Sequence, residues 1–419
     1  MKSSVKLIFC IALCLLMITG CSSKKNTDKN ENKESFTFGY LDNKRCYSKD
    51  FAIYYSRDNI SNSMLPMYYD AESQTKMVFC DKPECKHNKS TCFALKIEQL
   101  TSSSPVYIYN DKLYFYGIDD DPGNENGFFY KKLYCSDING DNLTALATME
   151  NLVTVSKNCY FADNKFFFVY LDKDEIVEEK DENGNIHKDL GNEKNPYEIG
   201  LYIYDHKTNE LKKIVLFTDQ FTSSVTDLTW YDGKLYFLDT YYDEDVFNIY
   251  DISDYESRMK HYHSAVYECD IENGALNEVI NDTVGSFVAV RGDSAYYYKY
   301  DEDGNRSNVL CRRRLDDGET SEVFEGEATN IVADGSDVII SSFENQHCYF
   351  TLLNNKGEEK KTEYAGKENL FIDAFIDGVI YVGMFTENEN GESVNELGRI
   401  SIEDLFAKEQ GKIEIIGKI

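Results

Sequence analysis

The stretch with the most distinctive chemistry is Cys80-x4-Cys85-x-His87-x4-Cys92, four nitrogen or sulfur donors within 13 residues. Thiolates and imidazole are the ligand types that suit a tetrahedral zinc ion. The spacing is near that of a zinc knuckle but does not equal it. Disulfide bonding is the competing chemistry, natural for an exported protein, and free thiols are the third. Pro83 and the lack of apolar periodicity make the segment a loop, so any of these bonds would staple a turn and serve structure. Nine cysteines follow Cys21, an odd number that leaves at least one outside any intramolecular disulfide. Cys135 and Cys269 each stand five residues before a turn glycine, Gly140 and Gly274, which marks a repeated packing position.

A second signal is the placement of acid. Residues 171–198 carry ten Asp or Glu against four Lys, and residues 117–130 hold Asp119, Asp120, Asp121 and Glu125 with no base. Asp239, Asp243, Glu244 and Asp245 repeat the pattern, followed by Asp301, Glu302 and Asp303, then Glu387, Glu389 and Glu392. Such loops would attract cationic partners or divalent ions over the Debye length of about 8–10 Å. Asp301-x-Asp303-Gly304-Asn305 and Asp181-x-Asn183-Gly184-Asn185 offer oxygen ligands around a glycine, yet neither has the twelfth-position Glu of an EF-hand. They read as solvated turns, and calcium is disfavoured. His261-x-His263 reads as a surface pair. There is no G-x-S-x-G elbow, no H-E-x-x-H and no phosphate-cradling glycine loop.

Export is written at the N-terminus. Lys2 and Lys6 precede an apolar run from Leu7 to Ile18, too short to span a bilayer and the right length for a signal peptide. Ile18-Thr19-Gly20-Cys21 resembles the lipobox of bacterial lipoproteins, which implies a diacylglyceryl thioether on Cys21 and cleavage before it. The competing readings are a secretory signal with a chance cysteine and an uncleaved anchor. Residues 22–34 contain no apolar side chain and read as a solvated tether. The expected division is therefore a signal peptide over 1–20, a lipid-anchored tether over 21–34 and a folded domain over 35–419, held on the extracytoplasmic face of the cell membrane. The formal net charge is −30, which argues against nucleic acid as a partner, because phosphates need a basic surface.

The folded part is built from strands. Tyr (32) and Phe (25) are abundant and fall in runs without helical periodicity. A polar turn followed by an apolar strand recurs at Asn110–Phe115, Asp163–Phe168 and Asp232–Phe237. Weaker copies are Gly292–Tyr297, Asp334–Ile339 and Asp377–Tyr381, with a first copy at Asp50–Tyr55 that lacks the clear turn. Each copy follows another apolar strand, and in most repeats a third and a fourth come after it. Four antiparallel strands repeated seven times make an all-β chain, a β-propeller of seven blades, with six or eight the neighbouring counts. Phe36–Tyr40 is a candidate to close the ring against the last blade. Two stacked β-sandwiches would explain the hairpins but not their repeated order.

The leader and the repeats together resemble bacterial surface lipoproteins with a propeller likened to that of low-density-lipoprotein receptors. Phe79-Cys80-Asp81-Lys82-Pro83-Glu84-Cys85-Lys86-His87 with Cys92 resembles a motif of those lipoproteins. The resemblance implies a propeller and no established activity. The first expectation for function is a lipid-tethered, non-catalytic module that binds an extracellular protein, peptide or glycan. A carbohydrate-active or hydrolytic propeller using convergent loop acids is the second, and a structural envelope protein the third.

Overall fold

A computed structural model of the chain describes residues 37–38 and 46–418, apart from 58–63, 81, 83, 90–91, 96–105, 110–111, 120–129, 138–139, 150–151, 173–177, 181–185, 189–196, 221–222, 243–261, 281–283, 301–305, 335–336, 346, 355–358, 367–368 and 388–392. The repeated polar dipeptides are two-residue hairpin turns. Asp163 and Asn164, Asp232 and Gly233, and Asp377 and Gly378 all have positive φ, the mirror-image geometry that matches the twist of paired strands. Asn, Asp and Gly adopt it at the least cost.

Consecutive strands then pair in antiparallel order into seven sheets, and these are the seven blades of a β-propeller. Blade 1 contains Cys46–Tyr47, Phe51–Arg57, Met64–Asp70 and Thr75–Val78, with a short extra strand, Thr37–Phe38, inside it. Blade 2 is Val106–Tyr109, Lys112–Asp119, Tyr130–Asp137 and Thr144–Met149. Blade 3 is Leu152–Ala162, Lys165–Asp172, Tyr197–Asp205 and Glu210–Gln220, with a small hairpin, Glu178–Lys180 and Ile186–Lys188, between its middle strands. Blade 4 is Ser223–Tyr231, Lys234–Tyr242, Tyr262–Cys269 and Leu276–Ile280. Blade 5 is Val284–Arg291, Ser294–Tyr300, Arg306–Arg314 and Thr320–Glu325. Blade 6 is Ala328–Asp334, Asp337–Glu344, His347–Leu353 and Glu359–Glu363. Blade 7 is Asn369–Ile376, Val379–Glu387, Ser393–Ser401 and Glu414–Lys418.

The core lies between blades, and the two-residue period of a strand explains how one sequence serves two seams. In the second strand of blade 3, Phe166, Phe168 and Tyr170 face the seam with blade 2, while Phe167 and Val169 face blade 4. Blade 5 repeats this, with Tyr296 and Tyr298 toward blade 6 and Tyr297 toward blade 4. Second strands are therefore apolar on both faces. Outer strands see solvent, and Glu359-Lys360-Lys361 of blade 6 is exposed.

Innermost strands tie neighbouring blades through polar contacts. Thr229 Oγ1 donates to the Val290 carbonyl at 2.6 Å, Arg291 Nε to Ile331 O at 3.1 Å, and Asn330 Nδ2 to Ile372 O at 2.6 Å. The register of the inner strand slips in each of blades 3 to 7. Such bulges re-aim side chains, here from the blade plane to the next blade.

Ring closure differs from the sequence expectation. Thr37–Phe38 pairs with Cys46–Tyr47 of blade 1 and adds no strand to the last sheet, all four of whose strands come from the C-terminal repeat. Side chains close the seam between blades 7 and 1. Tyr54 donates to Ile416 O at 2.8 Å, Tyr381 to Ser48 O at 2.6 Å and Tyr47 to the buried Asp373 at 2.9 Å. Tyr47 and Tyr381 stack at 4.5 Å. Glu414 accepts from Tyr69 and, at 2.8 Å, from Arg399. Aromatic burial and charge-assisted bonds replace the strand exchange that Phe36–Tyr40 suggested.

Candidate metal centre

Blade 1 ends early. Its outer strand stops at Val78, the Phe79 amide bonds back to Pro66 O at 2.8 Å, and the chain then leaves the sheet as a loop toward blade 2. Two tight turns fold that loop on itself: Cys85 N donates to Lys82 O at 3.0 Å and Cys92 N to Lys89 O at 2.8 Å. His87 takes a positive φ of 50° between them, and this sharp bend returns the imidazole toward the cysteines. The result is convergence. The ligand atoms of Cys80, Cys85, His87 and Cys92 all lie within 4.8 Å of one another. His87 Nδ1 is 3.4 Å from Cys92 Sγ.

Donor type and spacing together fit a metal. In a tetrahedral site with Zn–S near 2.3 Å and Zn–N near 2.0–2.1 Å, the sulfur and nitrogen ligands stand about 3.6 Å apart. A disulfide would use two of the three sulfurs and would give no reason for an imidazole and a third thiol to share the same few ångströms. The His87 backbone N–H holds the Cys85 thiol below its ordinary pKa, assisted by Cys92, Cys80 and Lys82. Burial pushes Cys92 the other way, to about 11. A thiol in that position would be deprotonated by the ion that it binds.

Packing anchors the loop. Cys92 is buried against Leu65 and Ala94, with Val78, Cys80, Cys85 and Leu95 around it. The rings of Phe79 and Phe93, each beside a cysteine, meet at 6.1 Å and enter the seam between blades 1 and 2. Phe93 covers Gly140 in the outer hairpin of blade 2, where a Cβ would lie 2.0 Å from the ring and where φ is +84°. Gly140→Ala should therefore displace Phe93, and with it Cys92. A loss of roughly 1–3 kcal/mol from the left-handed backbone is expected. Competition with a chromogenic chelator should also show weaker metal retention than in Gly274→Ala, which repeats the turn away from the loop.

Among the described residues, this cluster alone groups three or more His, Cys, Asp or Glu close enough to share an ion. The other residues singled out by sequence are placed as follows. Asp119 ends the second strand of blade 2, and Asp239, expected in an acidic loop, is instead buried within the second strand of blade 4, opposite Ala265. Asp120, Asp121, Asp243, Glu244, Asp245, Asp301 and Asp303 lie outside the described residues, as do Cys21 and His261. His263 is on the third strand of blade 4, stacked on Tyr241 at 5.2 Å. Cys269 is wholly buried between blades 3 and 4, and Cys135 packs more loosely between blades 2 and 3.

The inner-strand acids were not evident beforehand. Asp227 sits at a bulge of blade 4 with φ +51°, and Arg291 of blade 5 reaches it at 3.4 Å. Burial raises the Asp227 pKa, opposed by the Arg291 guanidinium. Asp373, the counterpart in blade 7, accepts from Tyr47. Both carboxylates are engaged in holding blades together. The signal that could have found them is an Asp interrupting an apolar inner strand three to six residues before a hairpin turn.

No family model and no curated protein matches the chain. Among solved structures, it is similar to the β-propeller domain of the Trilobed protease from Pyrococcus furiosus, at 12% identity and a TM-score of 0.46, over 91% of this chain and 98% of that one. It is similar to the acylaminoacyl peptidase of Pyrococcus horikoshii at 13% identity and 0.48, over 90% of this chain and 54% of that one. With the oligogalacturonate lyase of Vibrio parahaemolyticus the values are 11% and 0.43, over 79% and 80%. The chain thus spans about half the length of the Pyrococcus horikoshii peptidase. These likenesses are too distant to assign an activity.

Proposed function

We propose that this chain is a lipid-anchored, extracytoplasmic β-propeller that binds a cationic partner without catalysis, and that Cys80, Cys85, His87 and Cys92 hold a structural zinc ion. The observation that carries the structural role of the ion is the completeness of the donor set. Four protein ligands saturate a tetrahedral ion, whereas a catalytic zinc keeps one position open for water or substrate. When bound, the ion supplies cross-linking alone. Cys80 and Cys85 hold the start of the loop, His87 the bend, and Cys92 the segment that carries Phe93 into the seam.

Topology supports the binding role. Because every blade runs through its strands in the same consecutive antiparallel order, the connections from second to third strand all leave from one end of the propeller. Those connections carry the acidic runs of residues 117–130, 301–305 and 388–392, none of which includes a base. The opposite end has acids too, but bases match many of them. Lys165 lies 2.8 Å from Asp163, Lys234 2.7 Å from Glu268 and Arg312 2.9 Å from Asp293, and Lys112 pairs with Asp137. Acidic runs that carry no base of their own favour cationic peptides or polyamines.

Titration of the ectodomain with a fluorescent oligolysine tests this. Binding should weaken at least tenfold between 50 and 300 mM salt, and replacing Asp119, Asp120 and Asp121 by Asn should reduce it several-fold. Absence of salt-dependent binding in the unaltered protein would refute the cationic-partner reading.

A further inference from the structure

We propose that the propeller rests on the membrane by its hairpin-turn end and presents the acidic loop end outward, an inference that rests on the lipid-anchor reading of Cys21. The direction of one short strand carries it. Each blade has two ends. The turns joining first to second and third to fourth strands gather at the hairpin end, and the long second-to-third connections gather at the loop end. In blade 1, Cys46–Tyr47 runs toward the hairpin end, because the turn that follows leads into Phe51.

Thr37–Phe38 pairs antiparallel with that strand, Thr37 opposite Tyr47 and Phe38 opposite Cys46. It lies on the inner side of blade 1, against the innermost strands of blade 3 and blade 7, and therefore near the propeller axis. Since Thr37 is nearer the hairpin end and Phe38 nearer the loop end, the chain enters this strand from the hairpin end.

Reach and charge then select the same orientation. Fifteen residues separate Cys21 from Thr37. A relaxed coil of that length spans about 20–25 Å, enough to join the axis at the hairpin end to a bilayer directly beneath it. To put the loop end on the membrane, the tether would have to cross the hairpin end and pass round the rim. Its full extension of about 50 Å would be nearly used up, at a large entropic cost. The loop end would also press the acidic runs of residues 117–130, 301–305 and 388–392 against anionic headgroups, which repel them. At the hairpin end bases offset some of the acids, among them Lys212 beside Glu272 at 3.8 Å and Arg314 beside Asp317 at 3.5 Å. The partner of the hairpin end is thus the phospholipid headgroup surface, and the partner of the loop end comes from outside the cell.

Energy transfer to the bilayer tests the orientation on the full lipidated chain. A fluorescent unnatural amino acid is placed at Thr208, in an exposed hairpin-end turn of blade 3, or at Asn345, in the exposed loop-end turn of blade 6. The protein is reconstituted in vesicles of three parts phosphatidylcholine to one part phosphatidylglycerol that bear a headgroup acceptor. Transfer from Thr208 should exceed transfer from Asn345 at least threefold, and equal or reversed transfer would overturn the orientation. Co-flotation of Cys21→Ala with the vesicles would instead overturn the anchor reading. The path of the tether is read separately in the soluble chain beginning at residue 22, with a donor at Glu34 and an acceptor at each of the two positions. A shorter distance to Asn345 than to Thr208 would refute the exit side whatever becomes of the lipid.

Discussion

Removing zinc from the ectodomain, or replacing His87 by Ala, is expected to free the connection between blades 1 and 2 while the seven sheets remain. An ion held at a free concentration 1,000-fold above its dissociation constant contributes about 4 kcal/mol to the folded state. Denaturant unfolding of the metal-stripped protein should show a loss of that order, and adding back zinc should restore it. Limited proteolysis should cut between residues 79 and 105, a stretch that contains the whole donor set. Cys269→Ala provides the comparison. Its thiol lies in an apolar seam away from the cluster, so the variant should lose packing energy and keep its metal. Equal stability with and without zinc would remove the structural role.

Arg291→Met should be the most damaging single change outside the core. It strands the buried Asp227 carboxylate and also removes the guanidinium bond to Ile331 O, which links blade 5 to blade 6. Breaking one partner of a buried ion pair costs roughly 3–5 kcal/mol. The pH dependence has a definite sign. Asp227 has its pKa raised by burial, so the folded state binds more protons than the unfolded chain, and stability falls as pH rises from the ordinary carboxylate range through the raised value. Loss of Arg291 raises it further and extends that fall to higher pH. The deficit of Arg291→Met should therefore be larger at pH 8 than at pH 5. Adding Asp227→Asn should recover much of it, since Asn tolerates the positive φ at this position. A deficit that did not vary with pH would show that Asp227 is not the stranded group.

The architecture was legible in the sequence because its decisive features are local. Asp163-Asn164, Asp232-Gly233 and Asp377-Gly378 announce two-residue hairpins, and all three dipeptides adopt the positive φ those turns require. Runs such as Phe166–Tyr170 read as strands buried on both faces, and seams on either side bury them. The donors of the cluster were legible for the same reason, being close in sequence. What could not be read was the long-range pairing. Tyr54 and Ile416 are 362 residues apart, and nothing local distinguishes Tyr54 from Tyr55 as the residue that closes the ring. Inner-strand polar groups such as Asp227 and Asn330 were missed because their partners lie on the next blade, where no periodicity within the strand points. The cover of Gly140 by Phe93 belongs to the same class, a close approach between segments 47 residues apart.

Native mass spectrometry of the purified ectodomain, residues 35–419, with and without reductant, tests the central claim most directly. One zinc ion per chain is predicted, retained in reductant, absent from His87→Ala and Cys85→Ser, and accompanied by free thiols at Cys80, Cys85 and Cys92. A metal-free mass that rises by two hydrogens on reduction, with the bond mapped to two of those three cysteines, would contradict it.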